Sequence, residues 1–511
     1  MEINYLQTLL LPLFLTLVFV LLSGRRQRRD LPPAPPKLPI IGHLHLLTDM
    51  PHVALADLTH KLGPMLFLHL GRVPTLVVSS PRLAREVLKT HDHAFCSRPQ
   101  LIGAQYLSFG CSDVTFSVYG PYWRQARKIC VTELLHSRRV NSFRLIRREE
   151  VARMLASVSA AVTAGDKTDM SERFLTLAND ILCRVAFGRR FMEAGSRHRL
   201  SEVLAESQAL FAGFSVGDFF PGMEWVNSLT GLKRRLEKNL GDLRAVCDEI
   251  IEEHERKEIT SSPEGDKEDF VDVLLRVQRS PELEVPITDD NLKALVLDMF
   301  VAGTDTTSAT LEWIMTELAR HPNIMSHLQE EVRRVAGTKG HVGEDDLQDL
   351  PYLKAVIKET LRLHPPVPLL VPRESIEECT IDGYKIPVGT RVFINTYAMG
   401  RDPQVWEDPL SYRPERFVGS SIDIKGQDFE LLPFGGGRRG CPGYNFGLAT
   451  VDIALASLLY HFDWELPEGV EPDAVDLTEI FGLATRKKVP LVLLPRKKSG
   501  YEIKPNEVCG Q

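Results

Sequence analysis

The chain is short of the features that point quickly to a function. Its eight cysteines, Cys96, Cys111, Cys130, Cys183, Cys247, Cys379, Cys441 and Cys509, are scattered, with no C-x-x-C pair and no metal-finger spacing. That excludes a zinc module and a disulfide framework, and sparse unpaired cysteines suit a reducing compartment. Positive charge is not in surplus: 61 Lys and Arg face 68 Asp and Glu, for a net charge of −7. No long basic block interleaved with aromatics occurs in the body, so nothing points to nucleic acid. Internal repeats and low-complexity tracts are missing between about Pro39 and Pro495. What remains is ordinary globular composition, 43% hydrophobic and 25% charged over 511 residues, with ample length for a large core.

Long apolar runs are confined to the N-terminus. Tyr5 to Leu22 is interrupted only by Gln7, Thr8, Pro12 and Thr16, and Arg25, Arg26, Arg28 and Arg29 follow. About 18 apolar residues are enough to cross a bilayer, and the arginines belong on its cytosolic side. A cleaved signal carries its charge before the apolar run, the reverse of this order. Residues 1–24 therefore read as a signal anchor. Residues 25–39 read as a basic, proline-rich hinge, 40–498 as one globular body, and 499–511 as a polar tail.

Within the body, Met65–Leu70 and Thr75–Ser79 read as strands separated by Gly71 and Pro74, and Pro81–Thr90 as a helix. Helical periodicity dominates from Pro121 to Ala336 and returns from Tyr444 to Tyr460. Thr260–Lys267 reads as a polar loop. Thr380–Pro387, Arg391–Ile394 and parts of Leu477–Leu494 read as further strands. The fold class is mainly α with a small β part.

Four motifs bear on chemistry. In Phe434-Gly435-Gly436-Gly437-Arg438-Arg439-Gly440-Cys441-Pro442-Gly443, three glycines suit a backbone that turns sharply and lets a flat group come close. Arg439 puts fixed charge beside a potential thiolate, and a thiolate on haem iron favours O–O cleavage. Taken alone, such a cysteine is more often a buried structural thiol. The second motif, Asp298 to Thr307, lies inside a helical pattern from Asn291 to Leu318. Gly303 costs about 1 kcal/mol against alanine there, and threonine hydroxyls can bond back and open the turn. A weakened turn holds water, and a buried Asp beside a Thr can relay protons. The competing reading is close helix packing through small residues. The third, Glu359 with Arg362, is an i,i+3 ion pair that alone reads as solvated and weak. The fourth, Trp123 with Arg127, is an i,i+4 pair whose N–H donors suit a carboxylate.

The pattern Phe-x-x-Gly-x-Arg-x-Cys-x-Gly resembles the haem-ligand loop of the cytochrome P-450 family. The other motifs follow in that family's order, from about Leu31 to Pro495. The anchor, the hinge and Pro414-Glu415-Arg416-Phe417 resemble a plant microsomal member. The resemblance implies that family's mainly α fold behind one transmembrane helix, and haem b with Cys441 as the axial ligand of its iron. It implies Trp123, Arg127, Arg373, Phe434 and Arg439 around the haem, and a structural triad of Glu359, Arg362 and Arg416. It assigns Asp305 and Thr306 as the acid–alcohol pair that delivers protons during oxygen activation. It further implies a monooxygenase on the endoplasmic reticulum, single-pass with its catalytic domain cytosolic. Electrons would come from NADPH through NADPH–cytochrome P-450 reductase. Arg124, Lys128, Arg138, Arg139 and Arg438 form a candidate docking face for that acidic partner, or a generic solvated surface.

By the same resemblance, the substrate pocket is lined from Leu101–Tyr119, Asn291–Thr307, Pro366–Val371 and Ile480–Ala484. Asp113, Asp298, Ala302, Val367, Leu370 and Phe481 are candidates, and the largely apolar set suits an aromatic or hydrophobic small molecule. Ser108–Phe116, Leu177–Phe191, Asp269–Leu318 and Leu432–Val451 resemble the plant members that hydroxylate tryptamine, which implies tryptamine as substrate and serotonin as product. A tryptamine ammonium would seek a carboxylate or an aromatic face. Asp113, Asp218, Asp298 and Glu374 are candidates, and Asp298 equally suits an internal hydrogen-bond network. The alternatives are oxidation of a terpenoid, phenylpropanoid or other indole, a reductase-independent haem-thiolate isomerase or dehydratase, and a non-enzymatic haem carrier or membrane scaffold.

Overall fold

The computed structural model describes residues 30–190, 196–211, 215–260 and 268–498. The expected anchor, the polar loop after Thr260 and the tail 499–511 lie outside the described residues. Among the described residues, no helix is long and apolar enough to cross a membrane.

Six helices position the site: α1 (Pro121–Ile129), α2 (Met170–Phe187), α3 (Ser196–Phe211), α4 (Asp289–Arg320), α5 (Pro351–Leu363) and α6 (Tyr444–His461). The axis of the molecule is α4. It begins two residues earlier than the periodicity suggests, because Thr288 and Asn291 form a capping box. It ends at His321, because Pro322 opens the next helix. Leu295, Phe300, Trp313 and Met315 are all buried, so α4 is enclosed on every side, as a central helix must be.

Its most extensive partner is α2. A Cβ added at Gly303 would lie 3.1 Å from Leu182 Cδ2, so the glycine permits the close approach of the two helices. Close packing through a small residue is thus realised on one side of the Asp298–Thr307 segment. Ala302 and Thr306 face a cavity instead. The expected opening of this turn does not occur. Thr306 Oγ1 donates to Ala302 O at 2.8 Å, and the helix runs on unbroken because that bond is accommodated on its cavity face.

A four-stranded sheet lies to one side. Its strands are β1 (Met65–Leu70), β2 (Val73–Val78), β3 (Arg373–Glu374) and β4 (Arg391–Ile394), in the order β1-β2-β4-β3. Only the β2–β4 pair is parallel. Pro74 falls inside β2 rather than between strands; it is tolerated because the β4 ladder begins at Thr75. The expected Pro81–Thr90 helix divides at Glu86, where the α-helix passes into a π turn ending at Thr90. That turn brings the Leu88 carbonyl and Asp92 against the cysteine loop. Beyond β3, Cys379–Ile381 and Tyr384–Ile386 form a hairpin turned by Asp382 and Gly383, both at positive φ.

Candidate active site

A cavity of about 260 Å³ lies between α4, the chain before α1, the segment after α5 and the cysteine loop. Its walls are mostly apolar, with Leu107, Phe116, Phe211, Ala302, Val367 and Leu370 among them, and Cys441 and Phe434 form part of the lining.

The cysteine loop is held by steric necessity. Gly435 and Gly437 both adopt φ 65°. A Cβ at Gly437 would stand 2.3 Å from the Leu88 carbonyl oxygen, so only glycine fits there. Asp92 clamps the loop by accepting the Arg438 N–H at 3.0 Å and the Arg438 guanidinium at 2.8 Å. Cys441 N–H donates to Phe434 O at 2.9 Å. The Cys441 side chain is open toward the cavity. Burial among the surrounding walls pushes its thiol up, while the N–H groups of Gly443 and Tyr444 at the start of α6, and Arg127, pull it down.

Four arginines converge on this cavity: Arg98, Arg127, Arg373 and Arg439. Arg373 bonds Asp92 at 3.0 Å and Gly436 O at 2.6 Å, and Arg127 bonds Gly440 O at 2.5 Å. Arg439 donates to the carbonyls of Cys96, Ser117 and Val114, and Arg98 to those of Thr115, Val371 and Pro372. Burial depresses all four, and Arg98 is lowered further by Arg439 and Arg373. Arg439 is brought to about 9, by burial first and then by Arg373. Crowded, buried cations whose partners are mainly neutral carbonyls favour an added anion. This donor set fits a group with two carboxylates, as haem has, and an uncovered thiol fits its iron.

Trp123 reaches the site differently from the sequence expectation. Its N–H donates to Val114 O at 3.0 Å, and its ring lies 4.0 Å from the Arg439 guanidinium, so it props that arginine rather than lining the cavity.

On α4, Asp305 is 8% exposed. Burial pushes its carboxyl up, and Arg486, 4.0 Å away, opposes the shift. Away from the cavity, Glu359 takes both arms of Arg362 at 2.7 Å and Arg416 at 3.1 Å. Glu359 is 0% exposed, so this is no solvated pair.

The pocket candidates separate. Asp298 accepts the Val114 and Thr115 N–H groups at 3.0 and 3.2 Å and the Thr115 hydroxyl at 2.5 Å, so it ties the loop before α1 to α4. Asp113 accepts the Phe116 N–H at 2.7 Å, and burial, with Asp298 beside it, pushes its carboxyl well up. Phe481 and Asp218 lie outside this cavity and line a neighbouring one of about 120 Å³, where Phe481 stacks on His52. Glu374, in β3, lines neither. Of the basic-face residues, Arg124, Lys128 and Arg138 are exposed, Arg438 is exposed but bonded to Asp92, and Arg139 turns inward to the Glu268 carbonyl.

Arg98, Asp92 and Gln208 are site residues that sequence reasoning missed. No spacing links them to the motifs, because Asp92 and Arg98 come from the connection after Thr90 and Gln208 from α3; Arg98 carries only the weak signal of a residue held extended before Pro99.

The Cytochrome P-450 family model matches residues 32–493. Tryptamine 5-hydroxylase of Oryza sativa subsp. japonica is 58% identical over 99% of each chain. Premnaspirodiene oxygenase of Hyoscyamus muticus is 46% identical over 94% of this chain and 96% of its own. Among solved structures, a zebra fish cytochrome P-450 with abiraterone superimposes with a TM-score of 0.74 at 26% identity, covering 88% of this chain and 100% of that one. The order of motifs, the buried triad around Glu359 and these matches agree: the chain belongs to the cytochrome P-450 family and is a haem-thiolate monooxygenase.

Proposed function

We propose that the protein hydroxylates tryptamine at the indole 5-position to give serotonin, using O2 and electrons from NADPH passed on by NADPH–cytochrome P-450 reductase. The observation that carries this reading is the 58% identity to the rice tryptamine 5-hydroxylase, spread over 99% of both chains. The cavity supports it. Phe116 and Phe211 stack with centroids 5.3 Å apart and planes 6° from parallel, an aromatic wall suited to an indole.

Haem b, held by Cys441, supplies the activation of O2 and the insertion of one oxygen atom when bound. The residues that would hold its carboxylates are Arg127, Arg373 and Arg439, with Trp123 supporting Arg439. The chain then manages protons. Asp305, with its carboxyl raised by burial, carries a proton toward the cavity wall, and Arg486 limits that rise. The Thr306 hydroxyl, resting on Ala302 O, hands the proton into the cavity. The apolar walls exclude bulk water from the ring being oxidised. Residues 1–24 would anchor the enzyme in the endoplasmic reticulum membrane with this body in the cytosol, and Arg124, Lys128 and Arg138 would steer the reductase.

Microsomes containing the protein and a reductase, given NADPH and tryptamine, are expected to form serotonin. Absence of serotonin while the carbon-monoxide band of a thiolate-bound haem is intact overturns the substrate assignment. The 46% identity to premnaspirodiene oxygenase favours one second reading, oxidation of a terpenoid or another plant secondary metabolite. A panel of substrate-binding spectra separates the two. Turnover without NADPH would instead indicate an isomerase or dehydratase, which Asp305 and Thr306 argue against.

A further inference from the structure

Most polar groups on the cavity wall already have firm partners. Asp298 takes three donors, Asp113 takes the Phe116 N–H, Thr306 rests on Ala302, and the four arginines bond carbonyls or Asp92. Gln208 on α3 differs. It is 7% exposed and lines the cavity. Its Nε2 makes one long bond, 3.5 Å to Val301 O, and its Oε1 accepts none. Among the described residues lining this cavity, it is the one whose side-chain acceptor atom is wholly shut from solvent without a donor, whereas the Asp305 carboxylate has Arg486 at 4.0 Å. A leucine or methionine here would fill the wall without that penalty, so an unpartnered amide is an expensive choice for packing alone.

Its surroundings suggest what it is for. Val301 precedes Ala302, whose carbonyl holds Thr306, so the amide stands over the turn of α4 that bears the proton-handling residue. Phe211 lies three residues further along α3, on the same face, and stacks on Phe116. The helix thus presents one acceptor beside an aromatic wall.

We propose that Gln208 sets the specificity of this cavity, its amide oxygen accepting a hydrogen bond from the amino N–H of an arylalkylamine substrate. This rests on the tryptamine reading above. An indole ring finds apolar walls throughout, but its ammonium loses water on entry and needs an acceptor. Asp298 is already filled by the loop it ties down, and Asp113 is engaged beside it. The long Nε2 bond holds the amide loosely, and its terminal torsion is soft, so Oε1 can turn into the cavity.

The test uses the full-length holoenzyme and calorimetric Kd values for tryptamine and for 3-ethylindole, which keeps the ring and lacks the amine. Gln208→Met, similar in length and helix preference, is expected to weaken tryptamine about tenfold. It should bind 3-ethylindole as well as the wild type does, or better. Gln208→Glu, which keeps the acceptor, should retain tryptamine and weaken 3-ethylindole. The carbon-monoxide spectrum confirms that each variant holds its haem. If Gln208→Met weakens both ligands equally, or neither, the assignment is overturned while the tryptamine reading stands. If the wild type itself neither binds nor hydroxylates tryptamine, the substrate reading falls and this assignment with it.

Discussion

The cysteine loop and the wall formed by α3 and α4 enclose one cavity but are built on opposite terms. In the loop every group is pinned: Gly437 has no room for a Cβ, Asp92 clamps Arg438 and Arg373, and the N–H of Cys441 is committed to Phe434. On the wall formed by α3 and α4 two polar groups are loosely held. Asp305 has Arg486 at 4.0 Å, and Gln208 has one bond at 3.5 Å. The difference is instructive. A surface that holds a permanent group is built without slack, whereas a surface that meets protons and substrate keeps polar atoms incompletely satisfied.

Breaking the pinned side should cost cofactor and fold; breaking the loose side should cost chemistry alone. The largest effect is expected for Cys441→Ser, which should abolish the thiolate-type carbon-monoxide band and all turnover; survival of the band would mean that another residue binds the iron. Glu359→Gln leaves Arg362 and Arg416 without their buried anion and should cost about 3–5 kcal/mol in chemical denaturation, with poor haem retention. Gly437→Ala forces a Cβ against the Leu88 carbonyl at positive φ and should cost at least about 2 kcal/mol by the same measurement. On the loose side, Thr306→Val should leave stability unchanged within about 0.5 kcal/mol. Product per NADPH consumed should fall about tenfold if the hydroxyl hands on the proton as proposed. The smallest effect is Arg486→Ala. Arg486 lowers the Asp305 carboxyl, so its loss lets that carboxyl rise, and the proton-dependent limb of the rate profile should move to higher pH. Arg486 is partly exposed, so the shift should be small. A shift to lower pH would contradict the pairing.

The same contrast governs how much could be read from the chain alone. The cysteine loop is a contiguous motif whose glycines answer to local sterics, so its shape was legible. The long helix α4 was legible from its period and came out longer only because Thr288 caps it. Glu359 and Arg362 were visible as a pair, but their burial was not, since that depends on Gly400, Pro409 and Ser411 arriving from a later loop. Trp123 and Arg127 share a helix face, yet Trp123 turns to Val114, a carbonyl that no helical spacing reveals. Arg98, Asp92 and Gln208 were invisible for the same reason: their roles come from segments that only the fold brings together. Phe481 was placed in the pocket by the family resemblance, but it packs on His52 beside the second cavity.

The most direct test of the account is the fate of molecular oxygen. The purified holoenzyme with its reductase, NADPH and tryptamine would be run under isotopically heavy O2 and the product analysed by mass spectrometry. The account predicts serotonin carrying one heavy oxygen atom on the indole 5-position. Serotonin without the label, or label at another position or in another product only, would contradict it.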